Sequence, residues 1–311
     1  MQNYFDNSTI LVLGGSGLLG YHCHANLVND FRVVTTYHTH PIPYTNSVHL
    51  NVQDGMSSLV RILNKYRPKA VINTIALVTV DGCETNSELA YQLNVRFVQN
   101  LVEAMKEVGM RDSQLVQISS DSVYGQRTTK ENSPWSEDDL VNPLSIYAKT
   151  KFEGELQALK HNGPVSILRT AFYGINPFSE KSLLWWIINN AKHGNTINGW
   201  ENVYFSPVSA HSLVRVIGQM IRRRFSGVLN VGSTDACNKY DFVDAVCEEL
   251  QLTANINRVT KPVQGEDIIR PEYSVLNSER LANLVSWDVE WRDDLREYLH
   301  RCPPFPAKSN L

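Results

Sequence analysis

An apolar run, Thr9–Leu13, leads directly into Gly14-Gly15-Ser16-Gly17-Leu18-Leu19-Gly20, and helical spacing of apolar residues takes over from Leu18 to Val28. A strand that ends in glycines at i, i+3 and i+6 and then opens a helix leaves few folds to choose from. Glycine lets the backbone approach a pyrophosphate closely, and the helix N-terminus welcomes its charge. Gly14, Ser16, Gly17, Leu18 and Leu19 are therefore the expected cofactor contacts of this loop.

The same alternation runs on through the first half of the chain. Arg32–Tyr37, Ala70–Ile75, Gln114–Ser119 and Val165–Arg169 read as strands, and Leu59–Tyr66, Glu88–Val108 and Ser145–Leu159 as helices, with Gly109 ending the second of these. Continuous Val/Ile/Leu strands between helices predict an α/β fold with a Rossmann-type, doubly wound parallel sheet. Ligands of such sheets sit beyond the carboxyl ends of the strands. After Arg169 the order loosens. Helices are expected over Lys181–Lys192, His211–Arg224, Tyr240–Leu250 and Trp291–His300, a short strand over Val228–Val231, and turns over Asn195–Phe205. The expected division is a dinucleotide-binding domain over 1–170, rejoined by about 206–233. A smaller, discontinuous C-terminal α/β lobe for substrate would come from 171–205 and 234–311.

Composition narrows the partners. A net charge of −3 gives no reason to expect nucleic acid or an anionic membrane. Arg222-Arg223-Arg224 reads as the solvated end of a helix rather than a phosphate patch. Five scattered cysteines (Cys23, Cys83, Cys237, Cys247 and Cys302) contain no Cys-x-x-Cys pair, which suggests free thiols in a reducing, cytoplasmic setting. No signal-peptide pattern is visible and no apolar run reaches the length of a membrane span. The nine histidines show no metal-ligand spacing, so no metal is expected.

Tyr147-Ala148-Lys149-Thr150-Lys151 supplies the chemistry. Tyr147 and Lys151 stand four apart on a predicted helix, and so share a face. A phenol is a poor proton shuttle at neutral pH, and a neighbouring ammonium would favour its ionised form. A hydroxyl at the end of a strand, Ser120 in Ile118-Ser119-Ser120-Asp121-Ser122-Val123-Tyr124-Gly125, could donate to a carbonyl oxygen. The Tyr-x-x-x-Lys spacing alone occurs by chance about half a time in a chain of this composition, so the combination carries the reading. After the second strand come Thr36-Tyr37-His38-Thr39, with no acidic residue to hold an NAD ribose. NADP(H) is therefore favoured over NAD(H), with Tyr37 and His38 near the ribose, and Thr36→Asp is expected to shift preference toward NAD.

Together these residues resemble the extended short-chain dehydrogenase/reductases, and within them the dTDP-4-dehydrorhamnose reductase family. The likeness takes in the glycine loop, Val71-Ile72-Asn73, Val80-Asp81-Gly82-Cys83-Glu84, Asn94, Ile118–Gly125, Trp135-Ser136-Glu137-Asp138, Asn142-Pro143, Tyr147–Glu155, Leu168-Arg169-Thr170, Ser206-Pro207-Val208 and Arg270-Pro271-Glu272-Tyr273-Ser274-Val275-Leu276. It implies an NAD(P)H-dependent oxidoreductase that passes hydride to C4 of a nucleotide-linked 4-keto-6-deoxy sugar. Tyr147 would be the proton donor, Lys151 would hold the nicotinamide ribose, and Ser120 would bind the carbonyl. Asn73, Ala76 and Leu77 would lie along the cofactor, with Asn51 and Val52 near the adenine. Val80, Asp81, Ser120, Ser122 and Phe172 would face the substrate, although Asp81 equally suits a turn cap. A homodimer is the implied assembly.

The chain departs from the family pattern at sugar-facing positions. Ser122 replaces an aromatic residue, Ala171-Phe172 replaces a Ser-Trp pair, Asn51 replaces an Asp, and Trp200-Glu201-Asn202 stands where Asp-Gln is usual. Two other classes compete: a non-catalytic NADP-binding regulatory protein resembling the methionine adenosyltransferase beta subunit, and a sugar-nucleotide epimerase or dehydratase.

Overall fold

Alternation of buried side chains within single strands shows a sheet covered on both faces. In a computed structural model, which describes residues 6–39, 41–127, 133–260 and 270–301, Ile10 and Val12 face one hydrophobic core while Leu11 and Leu13 face another. Cys302 lies outside the described residues. In chain order the first half comprises β1 (Asp6–Leu13), α1 (Leu18–Leu27), β2 (Phe31–Tyr37), β3 (Ser47–His49), α2 (Met56–Tyr66), β4 (Ala70–Asn73), α3 (Val80–Thr85), α4 (Ser87–Tyr91), α5 (Phe97–Glu107), β5 (Gln114–Ile118), α6 (Ile146–Ala158) and β6 (Val165–Thr170). The second half comprises β7 (Phe172–Tyr173), α7 (Leu183–Lys192), β8 (Thr196–Trp200), β9 (Tyr204–Phe205), β10 (Val208–Ser209), α8 (Ala210–Arg223), β11 (Gly227–Val231), β12 (Cys237–Asn238), α9 (Lys239–Glu249), β13 (Asn255–Val259), β14 (Tyr273–Ser274), α10 (Glu279–Leu284) and α11 (Trp291–Arg301).

Seven strands form the sheet in the order β11-β6-β5-β4-β1-β2-β3, all parallel. Helices α1 and α8 cover the face under Ile10 and Val12, and α2 and α5 cover the other. The strand order reverses between β1 and β4, and a doubly wound sheet binds its ligands at such a switch point. Here the glycine loop after β1 meets the segment after β4, where Thr74 Oγ1 donates to the Leu13 carbonyl at 2.7 Å.

The predicted helix over 88–108 is one helical rod broken in register. Between α4 and α5 lies a π-turn, Gln92–Arg96. The extra residue turns Asn94 inward, where it is buried. Its Oδ1 accepts from Leu77 N at 2.8 Å and its Nδ2 donates to Thr150 Oγ1 at 3.0 Å. Apolar periodicity does not register one inserted residue, and π-turns cluster at functional sites. The tract 195–205, expected to be turns, contains β8, which pairs in parallel with β13. Residues 234–311 were expected to belong to the substrate lobe. Of these, Leu281 and Trp287 pack into the core beneath the main sheet, whereas Trp291, Leu295 and Tyr298 join the core of α7 and α9. Arg222 and Arg223 close α8, and Arg222 pairs with Asp30 at 2.7 Å.

Asp294 pins α11 in place. Its buried carboxylate accepts from Ser209 Oγ at 2.8 Å, Ser212 Oγ at 2.6 Å, Tyr173 Oη at 3.2 Å and the Ser209 backbone N–H. Asp294→Ala leaves these buried donors unsatisfied and is expected to cost about 3 kcal/mol or more. Urea unfolding measures it, and a loss below about 1 kcal/mol would show that the donors re-pair elsewhere.

Candidate active site

The glycine loop is clamped from beneath. Gly14 N donates to Thr36 Oγ1 at 3.0 Å and Gly15 N to the Thr36 carbonyl at 2.7 Å. Gly14 adopts a φ of +89°, a left-handed conformation that glycine takes without strain. Gly17 opens α1 with no side-chain cap, so the first N–H groups of that helix keep their donor capacity. Among the described residues, a Cβ on Gly17 would approach a single atom, the Gly14 carbonyl oxygen at 3.2 Å. The loop thus has the open face and free donors that a pyrophosphate needs, with Ser16 and Leu18 half-buried beside it and Leu19 packed into the core. Asn176 reaches back and donates to the Ser16 carbonyl at 2.9 Å, tying the segment after β7 to the loop.

Thr36 stands at the end of β2, as the sequence placed it, with its side chain buried. It is 1% exposed and holds the loop, so an Asp there would also disturb the clamp. Tyr37 and His38 lie beyond it at the open strand end, half-buried and exposed respectively. Their rings neighbour His49, at centroid distances of 5.7 Å and 6.2 Å. Cofactor preference is therefore tested at His38. His38→Asp is expected to move the NADP/NAD ratio toward NAD by about tenfold, and an unchanged ratio in steady-state assays would place the ribose elsewhere. Asn51 caps a 3-10 turn, accepting from Gln53 N at 3.0 Å, and Val52 begins that turn. Ala76 and Leu77 follow β4, where Asn94 fixes Leu77.

Ser145 caps α6 by accepting from Ala148 N at 3.1 Å, and Glu84 of α3 accepts from Ile146 N at 2.7 Å. The helix start is thereby docked on α3, an element the sequence did not reveal. Tyr147 lies on its first turn, half-buried, with its hydroxyl within hydrogen-bonding reach of Ser120. Ser120 follows β5, is buried, donates to Asp121 Oδ1 at 2.9 Å and accepts from Ser122 N at 3.2 Å. Lys151 is buried one turn on, and its Nζ donates to the Ile118 carbonyl at 2.6 Å. The three side chains meet at the carboxyl end of β5.

Their protonation differs from the sequence expectation. Burial pushes the Tyr147 phenol up to about 12; the Ser120 hydrogen bond pulls it down, and Asp121 and Cys83 push it further up. Lys151 does not offset this, because its ammonium is turned to the Ile118 carbonyl. Burial brings Lys151 down to about 8, while Glu155 and Cys83 hold it up. At neutral pH the phenol therefore carries its proton and the amine is mostly charged. The arrangement suits donation of a proton rather than its removal.

The positions expected to face substrate are spread around this point. Ser122 Oγ donates to Asp121 Oδ1 at 3.3 Å. Val80 begins α3, and Phe172 forms β7 with its ring packed against the core below. Asp81 is neither a turn cap nor a lone carboxylate: it pairs with Arg270. That pair links α3 to the segment before β14 across 189 positions of sequence, a separation that no local pattern discloses. Among the described residues no group of His, Cys, Asp and Glu could hold a metal ion, and no helix is long and apolar enough to cross a membrane.

Comparison with known proteins follows this geometry. The family model described as RmlD substrate binding domain matches residues 8–303. The spore coat polysaccharide biosynthesis protein SpsK of Bacillus subtilis is 28% identical over 253 residues, 80% of this chain and 85% of that protein. The methionine adenosyltransferase 2 subunit beta of Danio rerio is 26% identical over 292 residues, 90% and 86% of the two chains. The structure of dTDP-4-dehydrorhamnose reductase from Bacillus anthracis in complex with NADP superimposes with a TM-score of 0.80 at 22% identity, covering 95% of this chain and 99% of that one.

Proposed function

The chain belongs to the RmlD substrate-binding-domain family, an oxidoreductase family, and on that footing we propose that it is an NAD(P)H-dependent reductase of a nucleotide-linked 4-keto-6-deoxy sugar. The observation that carries the reading is the gathering of Tyr147, Ser120 and buried Lys151 about the carboxyl end of β5, the edge of the sheet where the glycine loop also lies. A family member that served only as a scaffold would have no need of a protonated phenol, a serine alcohol and a partly desolvated lysine in one place.

The chain's own residues divide the work. Gly14, Ser16, Gly17, Leu18 and Leu19 would hold the pyrophosphate, Tyr37 and His38 the adenosine ribose, Asn51 and Val52 the adenine, and Ala76 and Leu77 the nicotinamide end. When bound, the nicotinamide supplies the hydride. Ser120 would turn its hydroxyl from Asp121 to the substrate carbonyl oxygen and polarise it. Tyr147 would give its proton to that oxygen as it gains negative charge, acting as general acid. Lys151 spends one of its three N–H donors on the Ile118 carbonyl and would use another to hold the ribose. Val80, Asp81, Ser122 and Phe172 would surround the sugar. NADP is favoured over NAD because no carboxylate stands at Tyr37-His38. The buried free thiols Cys23, Cys83, Cys237 and Cys247 support a reducing, cytoplasmic setting, and a homodimer is the assembly that the resemblance implies.

NADPH oxidation measured against a panel of 4-keto-6-deoxy sugar nucleotides tests the proposal; turnover on at least one is expected. Cofactor binding without turnover on any would favour a regulatory role like that of the methionine adenosyltransferase beta subunit, the second reading to which the relative from Danio rerio points. Tightly bound NAD in the purified protein would favour an epimerase or dehydratase instead.

A further inference from the structure

Glu155 lies on α6 one turn beyond Lys151 and two beyond Tyr147, hence on the catalytic face of the helix, yet it takes no part in the chemistry assigned above. It is 1% exposed. Its carboxylate accepts from Arg169 Nε at 3.0 Å and Nη2 at 2.7 Å, and from the Ser119 hydroxyl. Arg169 Nη1 is buried without a hydrogen-bond partner, and the guanidinium lies 4.8 Å from the centre of the Tyr124 ring. Tyr124 donates to Asn230 Oδ1 at 2.7 Å. One buried carboxylate therefore joins α6 to the ends of β5 and β6, and through Tyr124 to β11.

Consecutive residues at the end of β5 are held from the same helix. Lys151 holds Ile118, Glu155 holds Ser119, and Ser120 follows, its hydroxyl donating to Asp121 with the Tyr147 phenol in reach. The groups facing Lys151 are few. Glu155 comes from its own helix, Cys83 from α3 and the Ile118 carbonyl from β5, while Arg169 of β6 lies on the far side of Glu155. Among these Glu155 supplies the one carboxylate, and burial pushes the Cys83 thiol up to about 11.

We propose that Glu155 is a positioning residue for the reaction, fixing the strand end that presents Ser120 and standing as the counter-charge to Lys151. A plain Glu155–Arg169 strut would stabilise the fold and leave the titration of Lys151 alone. The proposal rests on the reductase reading for its kinetic part only; its electrostatic part stands on the protein itself.

The test follows the Lys151 titration by NMR of ε-13C-lysine-labelled full-length protein, with Lys151→Met assigning the signal. Glu155→Gln leaves Arg169 an uncompensated buried charge and is therefore made both alone and with Arg169→Met. Lys151 is expected to titrate near 8 in the wild type, to lose about tenfold in proton affinity in Glu155→Gln, and to lose less in the double variant, where a positive charge leaves as well. The alkaline limb of kcat/KM should move down with it. Ser119→Ala keeps the charge, and is expected to lower kcat about tenfold without moving that limb. A Lys151 titration that stays put in a folded charge variant overturns the proposal. If neither charge variant folds, Ser119→Ala decides, and wild-type kcat there overturns it. A shifted Lys151 signal in a protein without turnover on any 4-keto sugar nucleotide upholds the counter-charge and removes the reductase reading instead.

Discussion

Tyr147→Phe is expected to lower kcat by about 10²–10⁴-fold, the usual worth of a general acid, while changing the Kd for the dinucleotide by no more than about twofold. The substitution removes one oxygen and keeps the half-buried ring, so packing at the start of α6 is preserved and thermal stability should hold. The deficit falls on turnover because no neighbour can supply the proton. Lys151 is committed to the Ile118 carbonyl. Cys83 is fully buried, with its thiol directed to the Leu77 carbonyl at 3.5 Å. Ser120 must donate to the substrate oxygen and cannot also surrender its proton to it. Because the phenol is pushed up to about 12, wild-type activity should show no loss from Tyr147 ionising anywhere below pH 9. Steady-state kinetics with a cofactor titration check both halves. Turnover within tenfold of wild type would remove Tyr147 as proton donor, and the proposed mechanism with it. Effects at Ser120 and Tyr147 should be strongly non-additive, since each needs the other to hold the oxygen.

Parts of this site were legible in the sequence because they are written locally. An apolar strand, three glycines at fixed spacing and a helix form one continuous stretch, and β1, α1 and the loop between them follow from it. Tyr147 and Lys151 share a face by helical periodicity alone. The alternation of Ile10 and Val12 against Leu11 and Leu13 is invisible in a run that is apolar throughout, but the run itself announces a strand buried on both faces. What stayed hidden depends on contacts far apart in sequence or on a change of one residue. The π-turn at Gln92–Arg96 keeps its neighbours apolar in helical rhythm, so the inward turn of Asn94 leaves no trace. Asp81 finds Arg270, and β8 finds β13, across stretches with no shared pattern. Glu155 and Arg169 were visible as part of a resemblance, but their bidentate pair exists only once α6 lies against β6. The raised phenol of Tyr147 has the same origin. Spacing put a lysine nearby, whereas three-dimensional burial decided which way its ammonium points.

Gly20→Ala should be the most damaging single methyl in the dinucleotide-binding part. Gly20 sits in the first turn of α1 with ordinary helical backbone, so its necessity is one of space, not of conformation. A Cβ there would lie 2.1 Å from the Gly14 carbonyl oxygen, 2.7 Å from the Gly14 carbonyl carbon and 2.8 Å from Gly15 Cα. All three are backbone atoms, so no side chain can swing aside. The loop cannot drop either, because Thr36 holds Gly14 and Gly15 from one side and Thr74 Oγ1 would stand 2.8 Å from a Cβ on Gly14 on the other. The helix must tilt instead. Overpacking of this kind costs about 1–3 kcal/mol, which predicts a fall in Tm of about 2–6 °C. The tilt also swings the α1 N-terminus away from the open face of Gly17, so the dinucleotide Kd should rise at least about tenfold. With saturating cofactor kcat should remain near wild type, since Ser120 lies just after β5 and Tyr147 and Lys151 lie on α6. Gly17→Ala is the control. Its Cβ approaches just one atom, the Gly14 oxygen at 3.2 Å, so Tm should hold while the methyl obstructs the ligand face and weakens binding. Calorimetric titration and thermal melts on the pair separate the two effects. A Gly20→Ala protein with wild-type Tm and wild-type affinity would mean that the packing of α1 against the loop is not what shapes the dinucleotide site.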